Sequence, residues 1–123
     1  MNNLNFYDRS FWQCIDELIN QSKIIVDRPK NSAHPRFKDF VYRVDYGYLD
    51  NTTSADSCGI DVFVGSEENK IADCVVCCVD LLKRDSEIKI LYGCTDKEKE
   101  IIYKDLNNSY YMKCIFICRD KTC

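Results

Sequence analysis

Nowhere in the 123 residues does an apolar run approach the roughly 20 that a bilayer-crossing helix needs, so no membrane partner is expected. The opening MNNLNFYDRS lacks the apolar centre of a secretory signal, which makes the cytoplasm the expected location. No basic block is present either: 17 Lys and Arg stand against 20 Asp and Glu, for a formal net charge of −3. Binding to a phosphate backbone wants a clustered positive face, so nucleic acid is not expected as the main partner. No internal repeat, low-complexity tract or linker interrupts the chain, and its length suits one domain, 1–123, with a single modest core. The one histidine, His34, sits between Ala33 and Pro35 in a polar, basic stretch. It reads as a loop residue that could meet a phosphate oxygen, outside the catalytic set.

What is present is a globular composition, 46% apolar and 30% charged. Nine cysteines are many, and several lie inside apolar strand-like runs. Their odd number and the missing secretory start suggest free thiols in a reducing compartment. A zinc site can be drawn from Cys74, Cys77, Cys114 and Cys118. However, DCVVCCVDLL reads as a buried strand in which cysteine acts as a small hydrophobe, without the turn that paired zinc ligands usually share.

Two capping boxes punctuate the chain. Ser10-Phe11-Trp12-Gln13 opens an amphipathic helix over residues 10 to 22, with Phe11, Ile15, Leu18 and Ile19 at helical spacing. Thr95-Asp96-Lys97-Glu98 opens a second helix through about Leu106. Strands are expected at 23–27, near 40–44, 60–65, 73–82 and 87–92, and at 112–118. The stretch RPKNSAHPRFKD holds both prolines and reads as a loop. Short strands framed by a helix at each end suggest an α+β fold: a small closed or nearly closed β-barrel with flanking helices.

The chemistry concentrates in YRVDYGYLDNTTSADSCGIDVFVG. Asp45, Asp50, Asp56 and Asp61 lie close together, and Asp61 falls inside a strand-forming run, where an acid is costly without a positive neighbour. Gly59 lets a tight turn bring Asp56 and Asp61 to one side of a strand mouth. Two carboxylates that leave room for water and phosphate oxygens suit Mg²⁺. Downstream, the period of two places Glu87 and Lys89 on one face of a strand, a pairing that suits a metal–phosphate site or a solvated surface equally.

Tyr42-Arg43-Val44-Asp45-Tyr46-Gly47-Tyr48 followed by Asp56-Ser57-Cys58-Gly59-Ile60-Asp61-Val62 resembles the signature of the soluble family I inorganic pyrophosphatases. That signature reads Tyr-Pro-x-Asn-Tyr-Gly-Tyr and then Asp-Gly-Asp-Pro-x-Asp-Val. The likeness runs over about residues 24 to 105 and includes Asp27-Arg28-Pro29, Arg36-Phe37-Lys38, the stretch from Leu82 to Lys89, and Tyr103-Lys104. The resemblance implies a barrel of the oligonucleotide-binding type and Mg²⁺-dependent attack of water on pyrophosphate or a related phosphoanhydride. It further implies Asp56, Asp61, Asp85 and Glu87 as metal ligands, and Asp61, Asp56, Tyr46 and Lys89 as catalytic residues. Arg36, Tyr46, Lys89, Tyr103 and Lys104 would bind phosphate, with Asp27 standing in for an outer glutamate. Homo-oligomerisation is left open.

Three departures from the family pattern bear on activity. Cys58 replaces the aspartate that binds metal and accepts the proton of the attacking water, and a thiolate is too soft to favour Mg²⁺. The hairpin carrying a phosphate-binding arginine is reduced to a few residues, with Arg43 as a candidate substitute. Lys38 replaces a glutamate, and Asp45 could restore negative charge near the metals. The alternative function is therefore a catalytically impaired module that binds a phosphorylated ligand or a protein partner.

Overall fold

The computed structural model describes residues 9–54 and 58–119. In chain order the elements are α1 (Arg9–Asn20), β1 (Ile24–Arg28), β2 (Asp45–Leu49), β3 (Ile60–Val64), β4 (Ala72–Asp80), β5 (Asp85–Tyr92), α2 (Asp96–Leu106) and β6 (Met112–Cys118). The six strands form one sheet in the order β1-β2-β3-β5-β4-β6. All neighbours are antiparallel except β3 and β5, which run parallel.

The α+β class holds, but the sheet is open: β1 and β6 form its two margins and do not pair with each other. The reason lies in the burial pattern. A closed small barrel has one interior, whereas this sheet buries apolar side chains on both faces. Val62, Val75 and Ile90 pack under Trp12, Ile15 and Ile19 of α1. On the opposite face Phe63, Val76 and Leu91 pack with Ile102 and Leu106 of α2. The apolar run of β4 follows from its being packed on both faces through Cys78, while Val79 beyond it is exposed.

Helix α1 already includes Arg9, so Ser10 lies inside the helix rather than ahead of it as a cap. Its far side is tied down by Arg119, which donates to the Trp12 carbonyl at 2.9 Å and to Asp16 Oδ2 at 2.8 Å. The box at α2 forms as expected. The Thr95 hydroxyl accepts from the Glu98 N–H at 3.1 Å, and Glu98 Oε1 accepts from the Thr95 N–H at 2.8 Å.

The expected strand at 40–44 is displaced to 45–49. The chain before it is extended, but it pairs with its own loop. Tyr42 N–H donates to the Ser32 carbonyl at 2.9 Å, Asn31 N–H to the Tyr42 carbonyl at 2.7 Å, and His34 N–H to the Phe40 carbonyl at 2.8 Å. With its backbone groups satisfied there, the segment has no need of the sheet. Strand β4 stops at Asp80, short of residue 82, because Asp80 Oδ1 accepts from the N–H groups of Leu82 and Lys83 and closes a turn.

Cysteine departs from the free-thiol expectation at one pair. Cys74 and Cys118, opposite each other across β4 and β6, form a disulfide. Four pairs further along the same ladder, the buried Cys78 and Cys114 thiols lie 2.8 Å apart, sulfur to sulfur. Cys77 alternates to the other face of β4, and among the described residues no three His, Cys, Asp or Glu side chains group as a metal site.

Strand β1 carries a one-residue irregularity. Ile25 pairs with Tyr48 and Arg28 with Tyr46, so three steps on β1 match two on β2. Strict alternation would send Asp27 to the face that carries Ile25 and Tyr48; the bulge sends Arg28 there instead. Gly47 makes room for it. A Cβ on Gly47 would lie 1.8 Å from the Ile25 carbonyl oxygen and 2.8 Å from the Val26 Cα.

Candidate functional site

Three strands deliver the site. On β2, β3 and β5 the period of two places Tyr46, Asp61, Glu87 and Lys89 on the α2 face of the sheet. The Lys89 ammonium lies at their centre: Nζ donates at 2.8 Å to Tyr46 Oη, at 2.8 Å to Asp61 Oδ2 and at 2.8 Å to Glu87 Oε1. Lys89 is the one buried charged residue among those described, 8% exposed. An ammonium has three N–H donors, and here protein oxygens take all three.

Charge and burial then set the protonation states. Burial alone would pull the Lys89 pKa down, but the oxygens of Tyr46, Asp61 and Glu87 raise it well above its ordinary value, so the amine stays charged. Burial raises the Tyr46 phenol further than Lys89 lowers it, and the ring keeps its proton. Burial also raises Glu87, and the neighbouring Asp61 adds to this against the pull of Lys89. Glu87 Oε2 is buried with no hydrogen-bond partner among the described residues.

Beside this centre stands a short stack of rings. Tyr42 stacks on Tyr46 with centroids 5.1 Å apart, and Tyr46 tilts against Phe63 at 4.7 Å. His34 stacks on the far side of Tyr42 at 6.2 Å, and its Nδ1 accepts from the backbone N–H of Arg36 at 3.0 Å. Arg28, given no site role in the sequence, donates from Nη1 to Tyr42 Oη at 2.7 Å and lies over both the Tyr42 and Tyr46 rings. Its only signal in the chain was the bulge, which no local pattern announces.

The other expected site residues are dispersed. Asp56 lies outside the described residues. Asp85 shares the face of Glu87 and Lys89 but begins the strand, about 13 Å before Lys89 at the usual rise per residue. Arg36 is exposed on the loop near His34. Tyr103 meets Phe116 edge-on at 5.6 Å, and Lys104 pairs with Glu100 at 3.7 Å, so α2 turns both to its own surroundings. Asp27 is exposed on β1. Arg43 forms an ion pair with Asp105 at 2.6 Å and is committed to α2, which removes it as a substitute for the missing hairpin arginine. Asp45 Oδ1 accepts from the Lys30 N–H at 2.7 Å and fastens the loop.

A cluster of phenol, amine and two carboxylates on an open α+β sheet, with one cation against two acids, defines a class of polar site suited to holding an anion, a cation, or both. No family model matches the chain, and no curated protein matches it. Among solved structures it is similar to the inorganic pyrophosphatase of Helicobacter pylori, at 16% identity and a TM-score of 0.55, over 79% of this chain and 84% of that one. A structure of the inorganic phosphatase of Anaplasma phagocytophilum is also similar, at 16% identity and a TM-score of 0.45, over 77% and 81% of the two chains. The Helicobacter pylori likeness establishes the fold, which is pyrophosphatase-like. Among the described residues no helix is long and apolar enough to cross a membrane.

Proposed function

We propose that the chain hydrolyses inorganic pyrophosphate, or a related phosphoanhydride, with Mg²⁺ as cofactor. One observation carries this reading: Tyr46, Asp61, Glu87 and Lys89, from three strands, meet at a single buried point on a pyrophosphatase-like fold. The donor set suits the ion. Asp61 and Glu87 offer hard oxygen ligands, and the buried Glu87 Oε2 leaves a lone pair unclaimed by the described residues. Asp56 is the further ligand in this proposal. Mg²⁺ needs only one or two carboxylates when water and phosphate oxygens complete its shell. When bound, the ion acidifies a water molecule and offsets charge on phosphoryl oxygens.

The chain's own side chains supply the rest. Lys89 stays charged and stabilises negative charge that shifts onto the leaving phosphate. Tyr46 stays protonated and keeps an O–H donor at the same point. Arg36, on the loop beside His34, is a further phosphate-binding residue in this proposal. The position of the family's proton acceptor holds Cys58, a change on the scale of about 10²–10⁴-fold in rate.

The decisive assay measures phosphate release from pyrophosphate with and without Mg²⁺. Release is expected to require the metal. Asp61→Asn is expected to lower kcat by about 10²-fold or more, the scale of losing one preorganised polar group. Folded protein at micromolar concentration that gives no release above background with Mg²⁺, Mn²⁺ or Zn²⁺ defeats the proposal.

A second reading, a phosphate-binding module without turnover, is favoured by Cys58 and by the full use of the Lys89 donors. Calorimetric titration showing binding of pyrophosphate without hydrolysis would select it. Cys58→Asp should then raise turnover by about 10²–10⁴-fold if the missing acceptor is the lesion. An unchanged rate would exonerate the cysteine.

A further inference from the structure

Arg28 is a cation without an anion. Among the described residues no carboxylate lies within ion-pair distance of its guanidinium, in contrast to Arg43 and Arg119, which have one each, and Lys89, which has two. Its partners are π-systems and a phenol: the Tyr42 ring at 5.7 Å, the Tyr46 ring at 6.0 Å, and Tyr42 Oη at 2.7 Å. A guanidinium carries five N–H donors in a rigid fork. One is used here, and the remainder meet no protein acceptor among the described residues.

Its location gives that spare capacity a use. Two cations lie near the Tyr46 ring, with Arg28 Cζ at 6.0 Å and Lys89 Nζ at 5.3 Å from its centroid. The two differ in what they have left to give. Lys89 is saturated by Tyr46, Asp61 and Glu87, whereas Arg28 retains most of its fork. The β1 bulge turns Arg28, rather than Asp27, onto this face, and Gly47 admits the bulge. Tyr42 tethers one end of the guanidinium and limits its rotamers, so little freedom remains to be lost on binding.

The surrounding field is positive. Burial first, and then the charges of Arg28, Lys83 and Arg36, hold the His34 imidazole below its ordinary pKa. None of those three cations has an ion-pair partner within 4.0 Å among the described residues. Arg28, Lys83 and Arg36 thus bring positive charge to bear on His34 beside the Tyr42–Tyr46 stack, with Asp27 the acid that acts on Arg28 through space.

We propose that Arg28 is a phosphate-binding residue, gripping the phosphoryl group of a diphosphate substrate that lies beside Tyr42 and Tyr46. This rests on the pyrophosphate reading above. Orthophosphate alone would occupy either half, and a diphosphate would span both, with Arg28 donating to one phosphoryl group and the charge of Lys89 acting on the other without a direct hydrogen bond.

The test compares Arg28→Gln and Arg28→Lys with the parent protein in Mg²⁺. Binding of pyrophosphate and of orthophosphate is measured by calorimetry, turnover by phosphate release, and folding by thermal melting. Arg28→Gln is expected to weaken pyrophosphate binding, and raise KM, by about 10–100-fold, the scale of one charge-assisted hydrogen bond. Arg28→Lys should recover part of the loss, and orthophosphate binding should change less than pyrophosphate binding. A purely structural cation–π role would lower the melting temperature and leave Kd and KM unchanged, and that result overturns the assignment. If Arg28→Gln does not fold, unchanged pyrophosphate affinity in Arg28→Lys overturns it equally, because a lysine cannot reproduce the fork. A parent protein that neither binds nor cleaves pyrophosphate brings down the functional reading and this assignment together. A parent that binds while both variants bind as well brings down the assignment alone.

Discussion

Lys89→Met is expected to destabilise the protein by about 3–5 kcal/mol near neutral pH, the cost of leaving buried charges unpaired. The substitution keeps the length of the stem and removes the cation that both Asp61 and Glu87 hold at 2.8 Å. The deficit has a definite pH dependence. Burial already raises the Glu87 carboxyl above its ordinary value of 4.5, and without the ammonium it rises further. A carboxyl whose folded pKa exceeds its unfolded one binds more protons in the folded state, so stability falls as pH rises. The variant should therefore approach the parent below the ordinary glutamate value and fall progressively behind it above. Urea unfolding at several pH values reads this directly. A variant as stable as the parent at neutral pH would show that these carboxylates are not buried charges. On the proposed activity the same change should lower kcat by about 10²–10³-fold.

Gly47→Ala should be the most damaging single-methyl change in the sheet. The obstacle is backbone: the new Cβ would meet the Ile25 carbonyl oxygen at 1.8 Å, its carbon at 2.7 Å and the Val26 Cα at 2.8 Å. Rotamer changes cannot relieve such a contact, so β1 must part from β2. Overpacking of this kind costs about 1–3 kcal/mol or more, which for a chain of this size lowers the melting temperature by about 10 °C. The loss should not stop at stability. Moving β1 moves the bulge, so Gly47→Ala should also weaken pyrophosphate binding in the way that Arg28→Gln does. A melting temperature within a degree or two of the parent's would mean that β1 is not held where the structure places it.

What the sequence made legible followed from local rules. The capping box at Thr95 and Glu98 is a four-residue pattern, and the strand MKCIFIC begins and ends where its pattern does. Glu87 and Lys89 share a face because nothing interrupts the period of two in β5, and the same regularity carries Tyr46 and Asp61 to that face. The misreadings arise where a non-local contact overrides a local pattern. Residues 40 to 44 alternate like a strand but satisfy their backbone on the loop at 31–34. Asp27 and Arg28 exchange places because one extra residue sits in β1, and a bulge is a property of two paired strands. The open sheet could not be foreseen from strand count, since closure depends on whether the first and last strands meet. Arg43 looked available until α2 presented Asp105 to it, 62 positions along the chain.

The Cys74–Cys118 bond divides the chemistry topologically. It spans 44 positions, and the covalent ring it closes contains Glu87, Lys89 and the whole of α2. Tyr46, Asp61 and Arg28 are threaded on the segment outside that ring. In the chain-entropy account such a ring removes about 4 kcal/mol of disorder from the denatured ensemble, and it does so for one half of the cluster only. Denatured molecules thus keep the amine and Glu87 leashed on one compact circuit. The phenol, the aspartate and the guanidinium roam on a free arm and must return to dock.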